Sequence, residues 1–264
     1  MTPMLGIMAS QISGHLSPIP LTNLKLWLDA SVASSITSSG GRVSQWNDQS
    51  AQGNNFVQAT AAYKPETAVA TINGLNALRF NNASNSEKIG SNGAASVWAF
   101  MSNATGCTIF TVGKITTANT EWIMGTYDGS GGVAGAIHYI EGTSTRTAFY
   151  CGGTPTIAVS NLSTSGSAGT TNPYSYTSVN DPANGTAANR SKMYLNSNSA
   201  VQNNTATTST VSGNPQTTLI LGNVGVANSP YTGTIGEVIV YSGVLSGTDV
   251  STVQAYLKTK WGTP

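Results

Sequence analysis

Charged side chains are scarce in this chain. Only 8% of its 264 residues are charged, and eleven Lys and Arg against ten Asp and Glu leave a formal net charge of +1. A protein that binds nucleic acid needs a basic face, so this balance argues against a nucleic-acid partner. A cytosolic enzyme usually has about 25% charged residues. The composition therefore favours an exported or particle-bound protein whose surface consists of Ser, Thr, Asn, Gln and Gly.

Long apolar runs and cysteines are also scarce. No run of about 18 apolar residues exists, so we predict no membrane span. Cys107 and Cys151 are the only cysteines, and we expect two buried thiols rather than a bridge. No cluster has the spacing of a zinc site or an EF-hand, so we predict no metal and no cofactor. Calcium on a loop at Asp48 or Asp128 is the alternative to loop-capping aspartates.

Residues 1–23 are predicted to form an extended, uncharged docking arm and linker. Pro18 and Pro20 indicate an extended connection to the domain that follows. The segment lacks a basic region and is interrupted by Gly and polar residues, so it is a poor candidate for a signal peptide. We expect it to lie on a partner chain, with packing on its own domain as the alternative. The residues assigned to this assembly arm are Met4, Leu5, Ile7, Met8, Ile12, His15 and Leu16.

Short β-strands are predicted from residue 24 onward. Leu24–Asp29 alternates apolar and polar residues, and turn signals such as Asn73-Gly74 separate the segments. A spacing of roughly ten residues between strands is typical of a sandwich of many short strands. We therefore expect residues 24–264 to form one all-β domain. Further strands are predicted at 42–46, 75–80, 108–115, 121–127, 136–141, 147–151, 156–160, 174–179, 192–195, 217–223 and 235–241.

One helix is predicted at the C-terminal end, over 246–261. Ser246 can cap its first turn, with Asp249 three residues later, and Gly262 can end it. Its apolar residues fall at helical spacing on a single stripe, so one face should be buried. We expect this helix to cover an open end or edge of the sandwich. The stripe consists of Val250, Val253, Leu257 and Trp261.

Four separated blocks resemble a known family. LWLDAS at 26–31, RVSQWNDQSAQGNNFVQ at 42–58, NGLNALRF at 73–80 and the segment 235–262 together resemble laminin-G-like (concanavalin-A-like) domains of bacterial surface proteins and bacteriophage virion proteins. The resemblance implies an antiparallel jelly-roll β-sandwich. The arm separately resembles the N-termini of phage structural proteins. Because the fold hosts lectins, glycosidases, adhesion modules and capsid or tail parts, it leaves the function open. Trp27 and Trp46 lie within these family-like blocks and Trp98 follows them in the chain. We expect all three in the core.

The carboxylates do not predict catalysis. Glycosidases of this family carry two or three acids together on one strand, whereas no two of the ten acids here are closer than seven residues. A pair could still meet across strands, but we predict no catalytic residue. His138 lies in a predicted strand, and no serine elbow accompanies it. We therefore expect His138 to be a half-buried strand residue.

Aromatic residues near one loop are the candidates for sugar contact. The apolar face of a sugar stacks on an aromatic ring, and a neighbouring carboxylate can accept hydrogen bonds from sugar hydroxyls. Core packing is an equal explanation for Trp122 alone. The candidate glycan-binding residues are Trp122, Tyr127, Asp128 and Tyr139.

These observations favour a non-enzymatic structural protein of a phage virion, as a head decoration, fibre or tail-associated part. The arm would bind other virion proteins, the protein would be a homo-oligomer within the particle, and the displayed sandwich would contact a host surface glycan. The alternative is a carbohydrate-binding or adhesion module of a bacterial cell surface. A glycosidase is the third hypothesis, which the spacing of the carboxylates disfavours.

Overall fold

The computed structural model describes residues 19–264 except 82–86, 117–120, 128–134, 142–145, 154–155, 164–171, 197–200, 203–214 and 223–229. Seventeen strands and one α-helix, α1 (Gly247–Trp261), make up this part of the chain. The strands are β1 Leu24–Asp29, β2 Ile36–Ser39, β3 Arg42–Trp46, β4 Phe56–Val57, β5 Glu66–Ile72, β6 Leu75–Phe80, β7 Ile89–Ser91, β8 Cys107–Ile115, β9 Glu121–Gly125, β10 Gly135–Glu141, β11 Arg146–Gly153, β12 Thr156–Ser163, β13 Tyr174–Asn180, β14 Ser191–Leu195, β15 Val201–Gln202, β16 Ile220–Leu221 and β17 Gly233–Ser242.

The strands form two antiparallel layers. In the first, β17 lies between β8 on one side and β6 and β1 on the other, β5 pairs with β6, and β13, β14 and β15 follow β8. The second runs in the order β2, β3, β4, β7, β16, β9, β10, β11, β12. A single residue pair, Arg42 with Glu66, joins β3 to β5 and so links the two layers. Every pairing between the named strands is antiparallel, which confirms the predicted all-β, antiparallel sandwich.

The main hydrophobic core lies between the layers. On β8 and β17, alternate residues such as Ile109 and Val238 face the second layer, which contributes Phe56 and Ile123. Trp46 and Trp98 are both fully buried there, as predicted. Burial of apolar surface of this extent is the main stabilising term of a sandwich. Trp27 was also expected in the core, but it is only partly buried against the outer cluster described next.

Helix α1 packs on the outer face of the first layer. Its predicted stripe is buried against residues of β8 and β17 that point away from the main core, including Phe110 and Ile239. The prediction that the helix covers an end or edge of the sandwich is therefore wrong. The physical reason is that β8 and β17 are apolar on both faces, so the outward face needs a cover along its length. The stripe residues are Val250, Val253, Leu257 and Trp261.

The ends of α1 follow the predicted capping pattern. Ser246 Oγ accepts a hydrogen bond from the backbone N–H of Asp249 at 3.1 Å, which satisfies one of the unpaired donors of the first turn. Gly262 ends the helix with φ +62°, a left-handed conformation that glycine adopts without steric strain. Local sequence signals therefore set both ends of the helix.

The free edge of β1 is covered by the loop that follows β3. The backbone N–H of Trp27 donates to Asp48 Oδ1 at 3.0 Å, and the carbonyl oxygen of Trp27 accepts from the N–H of Gln49 at 2.8 Å. Asn54 Nδ2 donates to the carbonyl oxygen of Lys25 at 2.8 Å. These bonds satisfy edge groups that would otherwise be open to strand addition. They give the WNDQSAQGNN segment a structural role.

Several short strands were not predicted from the sequence. The predictions at 24–29, 42–46 and 75–80 match β1, β3 and β6 in full, whereas β2, β4 and β7 were not predicted because two to four residues carry no period. Cys107 is a buried thiol that accepts a hydrogen bond from Asn180 Nδ2 at 3.6 Å, as predicted. The side chain of Cys151 lies outside the described atoms.

Candidate functional site

The proposed sugar contacts lie at the end of β9, and the structure describes only part of them. Trp122 and Tyr127 are described in full, Tyr139 by its backbone alone, and Asp128 lies outside the described residues. All seven residues assigned to the assembly arm also lie outside the described residues, so their role stays a prediction. Ile19, in the predicted linker, is 1% exposed and packs in the outer cluster.

A β-bulge turns Trp122 away from the main core. Met124 lies opposite His138, and Trp122 lies opposite Tyr139, so β9 carries one extra residue, Ile123, between these pairs. Met124 and His138 are both fully buried, while Trp122 is half-buried. In a regular strand without a bulge, Trp122 and Met124 would share a face, because side chains two residues apart point to the same side. The bulge thus places Trp122 where a ligand can reach its ring.

Thr126 fixes the strand end from which Tyr127 emerges. Its N–H donates to the carbonyl oxygen of Ala136 at 2.8 Å, and its Oγ1 accepts from the N–H of Ala136 at 2.9 Å. Its carbonyl oxygen accepts from the N–H groups of Gln216 and Thr217 at 2.9 and 3.0 Å. Thr126 is fully buried, so water does not compete for these bonds. Sequence reasoning missed this supporting residue, since a lone threonine after a strand carries no signal.

The rings of Trp122 and Tyr127 are neighbours. Their centroids are 6.3 Å apart and their planes are inclined by 46°, an arrangement within the usual range for interacting aromatic pairs. Both side chains are partly exposed. Tyr139 lies directly opposite Trp122 in the strand register. The structure therefore places the side chains of two of the four predicted residues side by side. The backbone of a third, Tyr139, lies next to them.

The carboxylate of Glu121, which precedes Trp122 in the chain, is buried and faces away from this aromatic pair. Glu121 is 2% exposed, and its Oε2 accepts a hydrogen bond from the backbone N–H of Thr232 at 3.0 Å. Its negative charge contributes to raising the pKa values of the buried Tyr176 and Tyr231, after desolvation and a neighbouring tyrosine. These interactions place Glu121 among the buried residues of the sandwich. The described side chains of the site are thus a neutral, partly apolar surface.

His138 is more deeply buried than predicted. It is fully buried between the layers, and its ring meets Tyr176 edge-on with centroids 6.3 Å apart. Neither ring nitrogen has a hydrogen-bond partner among the described residues. Desolvation lowers the pKa of His138 from 6.5 to about 4. The expectation of a half-buried residue is wrong because His138 lies on the inner face of β10, the same face as the buried Ala136, and pairs there with the buried Met124.

Eight of the ten acids have described side chains. Each of the eight accepts a hydrogen bond or forms an ion pair within the protein. Asp48 Oδ2, for example, accepts from Ser50 Oγ at 2.8 Å and from the N–H of Asn54 at 3.0 Å, so it caps its loop as predicted. Glu87 binds Arg42 at 2.5 Å. The eight are Asp29, Asp48, Glu66, Glu87, Glu121, Asp181, Glu237 and Asp249.

One pair of carboxylates does meet across strands. Asp29 of β1 lies opposite Glu237 of β17, and Lys260 Nζ donates to Asp29 Oδ2 and, at 2.8 Å, to Glu237 Oε2. Glu237 also accepts from Trp27 Nε1 at 2.7 Å and Trp261 Nε1 at 2.6 Å. With its oxygens engaged in this way, the pair is suited to holding α1 on the sheet. The sequence signal that could have revealed this cluster was the acid Glu237 inside the otherwise apolar run of β17.

Two further properties concern ions and membranes. In the part of the chain that the structure describes, no group of three or more His, Cys, Asp or Glu side chains is placed to hold a metal ion. Over the same residues, no helix combines the length and the hydropathy needed to span a bilayer.

Comparison with known proteins identifies the fold. No protein-family model matches the chain, and no curated protein sequence matches it. Domain 4 of the extracellular arabinanase AbnA of Geobacillus stearothermophilus, solved with arabinotriose, has a TM-score of 0.57 at 13% identity, covering 88% of this chain and 98% of that one. The binding domain of Paraclostridial Mosquitocidal Protein 1 has a TM-score of 0.63 at 14% identity, covering 92% of this chain. The Trypanosoma rangeli sialidase, solved with sialic acid, has a TM-score of 0.58 at 15% identity, covering 93% of this chain.

These structures share the concanavalin-A-like sandwich fold, and this chain has the same fold. It spans 56% of the mosquitocidal binding domain and 35% of the sialidase, but nearly all of the arabinanase domain. At such low identity the similarity establishes the fold alone. The function has to be argued from the site.

Proposed function

We propose that this protein is a non-catalytic carbohydrate-binding module that holds glycans on the Trp122–Tyr127 pair. The observation that carries the proposal is the adjacency of two partly exposed rings on a strand end fixed by four hydrogen bonds of Thr126. Aromatic rings offer flat apolar surfaces to the C–H faces of sugars. A rigid base reduces the entropy lost on binding. The arabinanase domain of similar fold was solved with an arabinose oligosaccharide, which supports this class of ligand.

Loss of either ring should weaken glycan binding. In Trp122→Ala and Tyr127→Ala, we expect the affinity for a bound polysaccharide to fall roughly tenfold, because the contact of one ring contributes about 1.4 kcal/mol. Affinity electrophoresis in native gels that contain neutral polysaccharides, followed by calorimetry on the best ligand, measures the change.

Tyr63→Ala is the matched control. Tyr63 is an aromatic residue with 38% exposure that lies between β4 and β5, outside the proposed site. Its removal should leave the affinity within about twofold of wild type. The proposed site would be contradicted if all three substitutions weakened binding equally, or if neither Trp122→Ala nor Tyr127→Ala weakened it.

The engaged carboxylates support the non-catalytic part of the proposal. Glycoside hydrolysis requires an acid and a nucleophile or base that face the same sugar bond. The eight described carboxylates are each held by protein donors, which leaves Asp128 and Glu141 as the acids whose side chains are not described. Asp128 follows Tyr127 directly and is proposed as an acceptor for sugar hydroxyls.

Incubation with polysaccharides should therefore release no reducing ends. We expect the reducing-sugar signal of the wild type to equal that of Asp128→Asn and Glu141→Gln over a long incubation with the same panel. Turnover by the wild type that disappears on substitution of a single carboxylate would show that the protein is a glycosidase.

The similar structures support the carbohydrate-binding hypothesis better than the virion hypothesis. Those named above belong to bacterial or trypanosomal proteins with enzymatic or binding parts. A virion location, anchoring through residues 1–23 and oligomerisation within a particle remain predictions from the sequence resemblance. Deletion of residues 1–18, which spares the buried Ile19, separates the two hypotheses, because a binding module keeps its affinity for glycan and a virion protein loses incorporation.

A further inference from the structure

A cleft lies on the first layer, apart from the aromatic pair. It has a volume of about 360 Å³ and lies between the end of β5 and the paired ends of β8 and β17. This volume is within the usual range for sites of small ligands, about 300–1,000 Å³. The cleft is lined by Ala70, Thr71, Lys114, Ile115, Thr116 and Thr234.

Lys114 supplies an unneutralised positive charge in this cleft. It lies directly opposite Thr234 in the β8–β17 register, and it forms no ion pair with any residue that the structure describes. On the other side of Thr234 lies Arg79 of β6, whose guanidinium is already bound to Glu66 through Nε at 2.6 Å. The row across β5, β6, β17 and β8 thus contains one carboxylate and two cations, and Lys114 is the cation in excess.

Thr234 supplies the second observation that points to a ligand. Its Oγ1 is buried and has no hydrogen-bond partner among the described residues. A buried hydroxyl without a partner destabilises a protein unless water or a ligand completes its hydrogen bonds. Thr71 and Thr116 add two exposed hydroxyls at the mouth of the cleft, and Ala70 adds apolar wall, whereas the side chain of Ile115 packs in the main core.

We propose that this cleft binds a sugar unit that carries one negative charge, such as a uronic acid. A single ammonium group balances one carboxylate or sulfate ester, whereas phosphate sites usually gather several N–H donors or a bidentate arginine. The three threonine hydroxyls match the hydroxyls of a sugar ring, and the apolar wall matches its C–H groups. The cleft is separate in its residues from the Trp122–Tyr127 pair, so each site can be removed alone.

The test is calorimetric titration of the full chain with methyl β-D-glucuronide, methyl β-D-glucoside and inorganic sulfate. We expect the glucuronide to bind and to bind more weakly as salt increases, since the contact is between charges. Lys114→Met, which keeps the aliphatic chain, should reduce its affinity roughly tenfold or more. Thr234→Val, which replaces the hydroxyl by a methyl group of similar shape, should reduce it while leaving the melting temperature unchanged or higher.

Lys192→Met is the matched control. Lys192 is also a half-buried strand lysine, but it lies on β14 outside the cleft, and its loss should not alter binding. The proposal is overturned if the glucuronide does not bind, if Lys114→Met binds as wild type does, or if the neutral glucoside binds equally well. Equal affinity for sulfate would overturn the sugar assignment and leave a simple anion site. Trp122→Ala should leave glucuronide binding intact, so failure here and failure of the proposed function are distinguishable.

Discussion

Lys260→Met should lower the free energy of unfolding by about 3–5 kcal/mol at neutral pH, because it leaves two buried carboxylates without their cation. Asp29 and Glu237 are 3% and 1% exposed, and they lie opposite each other on β1 and β17. Lys260 Nζ donates to both, and at 3.0 Å to Tyr256 Oη. Chemical denaturation at pH 7 measures the loss, with the denaturant dependence checked for constancy.

Lys258→Met is the control, because Lys258 lies in the same last turn of α1 but is exposed. Its loss should change stability by about 0.5 kcal/mol or less. Asp29→Asn combined with Lys260→Met should recover part of the loss, since it removes one of the two repelling charges. A loss below about 1 kcal/mol for Lys260→Met would show that the cluster does not need its cation.

The loss should shrink as the pH falls. In the wild type the pKa of Glu237 is already raised from 4.5, first by desolvation and then by Asp29, while Lys260 opposes the rise. Removal of Lys260 raises this pKa further. Between 4.5 and the raised pKa, the folded protein binds more protons than the unfolded chain, so stability increases as pH falls through that window. A deficit that is the same at pH 7 and pH 5 would contradict this account.

Local signals were sufficient for the elements that carry their own pattern. The helix follows from Ser246, Asp249 and Gly262, whose capping contacts involve only neighbouring residues. Strand β1 follows from alternation over six residues. Tyr127 could be singled out because it adjoins a glycine-rich loop. In each case, interactions within one turn or one strand determine the conformation, and the sequence displays them directly.

Long-range pairing decided the features that the sequence did not predict. Asp29 and Glu237 meet only because β1 pairs with β17, and Lys260 reaches them only because α1 covers the outer face of the same strands. The position of the helix depends on β8 and β17 being apolar on both faces at once, which a single strand pattern does not reveal. The cleft beside Lys114 likewise depends on register between strands far apart in the chain. Sequence spacing measures none of these distances.

The burial of His138 shows the same limit and has a measurable consequence at acidic pH. His138 lies on the same face of β10 as the buried Ala136, and the strand pattern at 136–141 does not reveal which face the other layer covers. The folded protein holds the ring neutral between the layers, where it meets Tyr176. Protonation would place an unpaired charge among residues that offer neither ring nitrogen a described acceptor.

Lowering the pH from 7 to 4 should therefore remove about 3 kcal/mol of stability through His138 alone, since each pH unit between the two pKa values is worth about 1.4 kcal/mol. The pKa is lowered from 6.5 to about 4 in the folded protein by desolvation. Within that window the unfolded chain binds the extra proton, so stability is present in full above 6.5 and is lost as the pH falls towards 4. Denaturation curves at several pH values measure the slope.

His138→Phe isolates this contribution from that of the carboxylates, which titrate in both proteins. Phenylalanine keeps a ring against Tyr176 but carries no proton and no unpartnered nitrogen, so the variant should be at least as stable as wild type at pH 7. Its stability should then fall by about 3 kcal/mol less than that of wild type between pH 7 and pH 4. If the two proteins lose stability in parallel, His138 does not stay neutral in the folded state, because a buried imidazole that finds an acceptor is protonated without this penalty.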